Sequence, residues 1–236
     1  MSILTEKIGA LVRDLGRRLV PHDCLLCSAA TEDALLCAAC LADLPHLPRP
    51  ACPVCALPGA AELPCGRCQR HPPQFDRLIA AFPYAFPVDR LIQQLKYGHR
   101  LALADWFGMH LAAACRNTGA DLIVPMPLHP ARLTERGFNQ ALEIARPLSR
   151  YSSIALDATA CRRIRATAPQ EGLNLRQRRR NLKNAFLCPR PLDGRHILLV
   201  DDVATTGASA DECARTLRLH GATRVTVAVV ARTLLD

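Results

Sequence analysis

The chain has 236 residues, half of them apolar and 22% charged, which excludes a disordered or fibrous protein and suits one α/β domain with a small appendage, or two modest domains. Thirty Lys and Arg against 21 Asp and Glu give a formal charge of +9, which points to polyanionic partners such as nucleotides, nucleic acid or phosphates without choosing among them. With one Trp, three Tyr and six Phe, no aromatic platform for stacking single-stranded nucleic acid is written across a sheet.

From the N-terminus, Leu4, Ile8, Leu11, Leu15 and Leu19 recur at helical spacing and predict an amphipathic helix over 1–20. Its polar face is basic, so it either docks on the body or lies on a membrane surface. Glu6, Lys7, Arg13, Asp14, Arg17 and Arg18 interrupt any signal-peptide core. No apolar stretch approaches the roughly 18–20 residues of a membrane span, and a cytoplasmic location is expected.

Residues 21–72 carry eight of the twelve cysteines as four CxxC pairs: Cys24/Cys27, Cys37/Cys40, Cys52/Cys55 and Cys65/Cys68. Nine residues separate the pairs within each half and eleven separate the halves, a tandem C-x2-C-x9-C-x2-C. A CxxC knuckle aims two thiolates at one point, and two knuckles complete a tetrahedral S4 site for zinc. One or two structural zinc ions are expected, paired within each half or crossed between halves. A disulfide framework lacks a secretory context, and an iron–sulfur cluster is the other rival. His22, His46 and His71 border the cysteines and could each replace a ligand, although four thiolates per site suffice. Neither ribbon can bury a core, so metal would supply the folding energy, on the order of 10 kcal/mol or more per site. Pro45, Pro48, Pro50, Pro53, Pro58 and Pro64 suggest a rigid module without regular helices. Cys115, Cys161, Cys188 and Cys213 are scattered and read as small buried apolar residues, with reactivity conceivable at Cys161 and Cys188 beside the basic stretch.

His71-Pro72-Pro73 marks the exit into a second domain, 73–236, of alternating strand and helix patterns. Strands are predicted at Leu78–Tyr84, Asp121–Val124, Arg195–Val200 and Arg224–Ala231. Helices are predicted at Val88–Tyr97, Leu101–Cys115, Phe138–Leu148 and Gly207–His220. Continuous apolar strands between amphipathic helices imply a parallel sheet covered on both faces, whose ligand site lies beyond the carboxyl ends of the strands.

Ile197-Leu-Leu-Val-Asp201-Asp202-Val-Ala-Thr205-Thr206-Gly207-Ala-Ser209 occupies such an end. A buried strand delivers two acids, and a Thr-Thr-Gly turn opens a helix, so free amides and the helix dipole converge on one anion site. Adjacent carboxylates beside a phosphate site suit a ribose diol, bound directly or through magnesium. The plainer alternative is a strand end with an Asp helix cap. This run resembles the signature of the type I phosphoribosyltransferases. That resemblance implies that Asp201 and Asp202 hold the ribose hydroxyls of phosphoribosyl pyrophosphate, and that Ala204, Thr205, Thr206, Gly207, Ala208 and Ser209 cradle its 5′-phosphate.

Val124 to Gln140 would lie where the pyrophosphate loop of those enzymes lies, with Arg132 and Arg136 neutralising pyrophosphate and Gly137 allowing close backbone approach. A basic stretch, Arg162 to Lys183, includes Arg163, Arg165, Arg176, Arg178, Arg179 and Arg180 and matches their mobile hood, or is a solvated charged helix. From Cys24 onward the chain resembles the competence-protein ComF family. The four CxxC pairs carry the likeness, with Leu95-Lys96-Tyr97, Pro127, Arg136-Gly-Phe-Asn139-Gln140, Thr167, Gln170, Leu173, Arg178, Asn181 and the Asp201-Asp202 run. It implies a type I phosphoribosyltransferase fold behind a double zinc ribbon. Its ligand would be phosphoribosyl pyrophosphate with magnesium, contacted also by Lys96. Its partners would be single-stranded DNA and competence-machinery proteins, in DNA uptake. An active phosphoribosyltransferase with Asp201, Asp202, Arg132 and Arg136 as its catalytic residues is the alternative, but no residue identifies an acceptor.

Overall fold

The computed structural model describes residues 22–31, 34–60, 63–165 and 182–234. The expected helix over 1–20 and the motif residues Thr167, Gln170, Leu173, Arg176, Arg178, Arg179, Arg180 and Asn181 lie outside them. The chain divides into two compact units, with the break between Leu44 and Pro45.

The first unit contains one ribbon. His22–Asp23 and Ala30–Thr31 pair antiparallel around the first knuckle, and a short helix, Ala38–Ala42, starts within the second. The second ribbon, Cys52 to Cys68, belongs to the same unit as the sheet and ends in the short helix Gly66–Arg70. These five-residue helices correct the expectation of a module without regular helices. Each begins at the first cysteine of its second knuckle, and Cys37 Sγ accepts a bond from the Cys40 amide at 3.4 Å, so the knuckle geometry itself starts the helical turn.

The rest of the second unit runs β1 (Arg77–Pro83), α1 (Val88–Tyr97), α2 (Ala102–Ala114), β2 (Leu122–Pro125), α3 (Pro130–Arg136), α4 (Gln140–Ser152), β3 (Ala155–Leu156), β4 (Arg162–Arg163), β5 (Phe186–Leu187), β6 (His196–Ala204), α5 (Ala208–Leu219) and β7 (Arg224–Arg232). The sheet order is β1-β7-β6-β2-β3, with every neighbouring pair parallel. Ile197 and Leu199 pack with Cys213, Ala214 and Leu217 of α5 in one core cluster, while Leu198 and Val200, pointing the other way, are equally buried. Burial of both faces explains why β6 reads as an unbroken apolar run rather than an alternating one. α2 and α4 pack closely at Gly108, where an added Cβ would stand 2.5 Å from Pro147 Cγ.

The parallel sheet flanked by helices, behind two four-cysteine clusters, is the architecture expected from the sequence. Two local expectations change. β6 extends to Ala204, so Asp201 and Asp202 sit inside its last residues rather than beyond its tip. Arg132 and Arg136 lie on a short helix, α3, rather than in a loop, and Gly137 at φ 81° ends it in the left-handed conformation. Of the basic stretch, the described ends form an antiparallel pair, β4 with β5. Among the described residues, no helix is long and apolar enough to cross a membrane.

Candidate functional site

The two ribbons repeat one geometry. The residue after each first knuckle takes a left-handed conformation, Ser28 at φ 59° and Ala56 at φ 57°. Ser28 donates to the Cys24 carbonyl at 2.9 Å and Ala56 to the Cys52 carbonyl at 3.0 Å. Cys27 and Cys37 Sγ lie 3.7 Å apart, as do Cys55 and Cys65 Sγ. The sulfurs of Cys24, Cys27, Cys37 and Cys40 all lie within 4.8 Å of one another, as do those of Cys52, Cys55, Cys65 and Cys68. The pairing is therefore within each half and not crossed. Burial opposes ionisation of Cys24 and Cys52, but backbone N–H groups around each sulfur outweigh it and bring the thiols to about 6 and about 7. Soft sulfurs converging in sets of four fit two structural zinc ions. Among the described residues, no histidine joins either set.

The second site forms at the carboxyl end of β6. Asp202 is 5% exposed and its Oδ2 pairs with Lys96 Nζ, on the last turn of α1, at 2.6 Å. Burial works against the Lys96 ammonium, yet the Asp202 carboxylate outweighs it and raises its pKa. Asp201 faces a poorer balance. Its burial, reinforced by the neighbouring Asp202 charge, pushes its carboxyl up to about 8. The pair thus divides into a lysine-bound acid, Asp202, and one, Asp201, that holds a proton near neutrality.

The turn after β6 leads through Gly207, at φ 78° in the left-handed region, into α5. Asp201, Val203 and residues 204–210 line a cavity of about 120 Å³. The Ala208 amide donates to Thr206 Oγ1 at 3.4 Å, which shapes the entry to the helix. Further cations come from two other elements, α3 and β4. Arg136 donates to Gln140 Oε1 at 2.8 Å and its guanidinium lies 5.5 Å from the centre of the exposed Tyr97 ring. Arg132 pairs with Glu135 at 3.2 Å on the exposed face of α3. Arg163 on β4 lies within electrostatic reach of both Asp201 and Arg132, and its burial lowers its pKa. Asn139 fixes the α3–α4 turn by donating to the Met126 carbonyl at 3.1 Å and accepting from the Ala141 amide at 3.1 Å.

The structure thus brings Lys96, Arg136, Asp201, Asp202 and the turn 204–209 to one end of the sheet. Arg163, which the sequence leaves as part of either a mobile hood or a solvated helix, stands close to them because β4 carries it there. Cys115, Cys161, Cys188 and Cys213 are all buried. Burial pushes the Cys115 thiol up to about 12. Although its contact with Cys188 opposes the change, Cys161 is raised by Cys213, 3.7 Å away, and by burial. Cys188 is raised by Cys161 and by burial. Such thiols are inert as nucleophiles.

Residues 15–69 match a family described as the double zinc ribbon domain. A DNA utilization protein YhgH from Escherichia coli O157:H7 is 44% identical over 191 residues, spanning 78% of this chain and 84% of the relative. Competence protein F of Haemophilus influenzae is 32% identical over 178 residues, 71% of this chain and 78% of the relative. This chain belongs to the ComF family. Competence protein ComFC of Bacillus subtilis, 25% identical over 199 residues and 80% of each chain, extends the similarity within ComF. A purine phosphoribosyltransferase from Pyrococcus horikoshii aligns in structure with 54% of the ComF-family chain and 71% of its own, at 16% identity and a TM-score of 0.36.

Proposed function

We propose that this ComF-family chain binds phosphoribosyl pyrophosphate, as its magnesium salt, or a related ribosyl phosphate, and acts in the cytoplasm in the uptake and handling of DNA. The observation that carries the ligand is the joining of Asp201, one acid of the pair, and the turn 204–209 around one cavity at the carboxyl end of a central parallel strand. The turn 204–209 and the α5 N-terminus would take the 5′-phosphate, and Asp201 and Asp202 the ribose hydroxyls. Lys96, Arg132, Arg136 and Arg163 would meet the pyrophosphate. Because Lys96 already neutralises Asp202, an incoming sugar must share or displace that cation. The names of the relatives, a DNA utilization protein and competence proteins, support the role in DNA handling. The net charge of +9 and the two ribbons suit single-stranded DNA and competence-machinery proteins as partners.

Turnover is a second reading, favoured by the cations beside the acid pair. Cleavage of the anomeric C–O bond leaves positive charge on the ribose and negative charge on pyrophosphate. Asp201, once ionised, and Asp202 would stabilise the former, and Arg132 and Arg136 the latter, so catalysis would be positioning plus charge stabilisation.

Calorimetric titration with phosphoribosyl pyrophosphate and magnesium, alongside the Asp201→Asn/Asp202→Asn double variant, tests the ligand. Saturable binding that the variant loses is expected. Absence of binding to the unaltered protein would overturn the reading and leave single-stranded DNA as the ligand to pursue.

A further inference from the structure

The back of the phosphate turn is held by two arginines that neither the acid pair nor the cavity accounts for. Arg232, the last residue of β7, is 1% exposed. Its Nη1 donates to the carbonyls of Ala204 at 2.7 Å, Thr233 at 3.1 Å and also Thr205, while its Nε donates to the Cys55 carbonyl at 3.0 Å. Arg67 lies between Cys65 and Cys68, and its Nη2 donates to the Thr206 carbonyl. One link therefore leaves each knuckle of the second four-sulfur set, Cys55 from the first and Arg67 from the second, and both converge on the turn.

In a trans peptide the carbonyl of one residue and the amide of the next lie in one plane and point in opposite directions. Guanidinium groups that hold the carbonyls of Ala204, Thr205 and Thr206 from behind therefore fix the direction of the amides of Thr205, Thr206 and Gly207. Residues 204–207 line the ligand cavity, so those are the donors an anion would use. Unheld, the Thr205 and Thr206 carbonyls would lose these partners and their peptide planes would be freer to rotate, whereas the Ala204 carbonyl also accepts from the Thr233 amide at 3.0 Å.

We propose that the second ribbon is a brace for the phosphate-binding turn, and that zinc, by locking its two knuckles together, sets the orientation of the turn amides through Arg67 and Arg232. The zinc site is then coupled to anion affinity, although it touches no ligand. The affinity part of this proposal rests on the phosphoribosyl reading above; the orientation of the turn does not.

Arg67→Ala in the full-length, zinc-loaded protein separates the brace from mere stability, with Arg67→Met as a second variant that keeps the side-chain stem and loses only the donors. Amide exchange over 204–208 should accelerate about tenfold or more, and phosphoribosyl pyrophosphate should bind about tenfold more weakly, as befits a lost charged hydrogen bond. Zinc content should stay the same as in the unaltered protein, and Arg67→Lys should recover part of the loss. Exchange at the turn within twofold of the unaltered protein in both Ala and Met variants would overturn the proposal. If the unaltered protein binds no phosphoribosyl pyrophosphate, the ligand reading fails, while the exchange comparison still decides the brace.

Discussion

The two ribbons have the same ligand spacing and the same knuckle geometry, yet they fall in different compact units, and the second shares its unit with the sheet. In the first, the residues between ligands are Leu25 and Leu26, then Ala38 and Ala39; in the second they are Pro53 and Val54, then Gly66 and Arg67. Two of those positions tie the second ribbon to the sheet and to its turn. The Val54 carbonyl accepts from the Leu78 amide of β1 at 2.8 Å, and Arg67 reaches the phosphate turn. Cys27 is exposed, whereas Cys52, Cys55 and Cys68 are buried. Metal chemistry is set by the cysteines, but what a metal site does for the rest of the fold is set by the residues between them.

The sharpest way to break this contrast is to remove one ligand from each ribbon. Cys68→Ser should lose one zinc of two and weaken phosphoribosyl pyrophosphate binding a hundredfold or more, because a structural zinc contributes on the order of 10 kcal/mol to its fold. Cys40→Ser should lose the other zinc with less than a twofold change in that affinity. Metal analysis and calorimetry on the same samples check both. Equal losses in the two variants would erase the distinction.

Next in size is Arg232→Met. It withdraws donors from the carbonyls of Ala204, Thr205, Thr233 and Cys55 in a buried setting, and we expect a destabilisation of about 3–5 kcal/mol by denaturant unfolding. Ala204 and Cys55 sit in different elements, so slower turn exchange or unchanged stability would both contradict the tie.

How far the sequence exposes these features depends on their range. The CxxC spacing and the acid pair before Thr205-Thr206-Gly207 are local signals, and the apolar runs of β6 and β7 announce a buried parallel sheet. The boundaries of α1 need no correction, since Leu91, Ile92 and Leu95 mark one face and Gly98 follows Tyr97. Arg232 carries no such signal. It ends an apolar strand, and three of its acceptors, Ala204, Thr205 and Cys55, become neighbours only when β7 pairs with β6 and packs on the second ribbon. Arg163 likewise cannot be singled out from the other arginines of the basic stretch, hood or solvated helix, until β4 and β5 pair. Its sign and spacing are legible, but its burial is a product of tertiary structure.

A smaller effect distinguishes the ribbons from the acid pair by pH. Zinc thiolates must be deprotonated, so both ribbons lose metal as the solution becomes acidic. Asp201 acts in the opposite direction. Its folded-state carboxyl titrates at about 8 against an ordinary 3.8, so between those values the folded chain keeps a proton that the unfolded chain has released. The stability that Asp201 contributes is present below the lower value and is lost as pH rises through the upper one. The slope it adds is at most about 1.4 kcal/mol per pH unit, and it vanishes above about 8. Chemical unfolding at pH 6, 7 and 8 in excess zinc, where the ribbons stay loaded, isolates this term. Stability should decline across the series in the unaltered protein and stay flatter in Asp201→Asn, which cannot ionise. A parallel decline in the two proteins would mean that Asp201 is already ionised when folded, with both acids sharing Lys96.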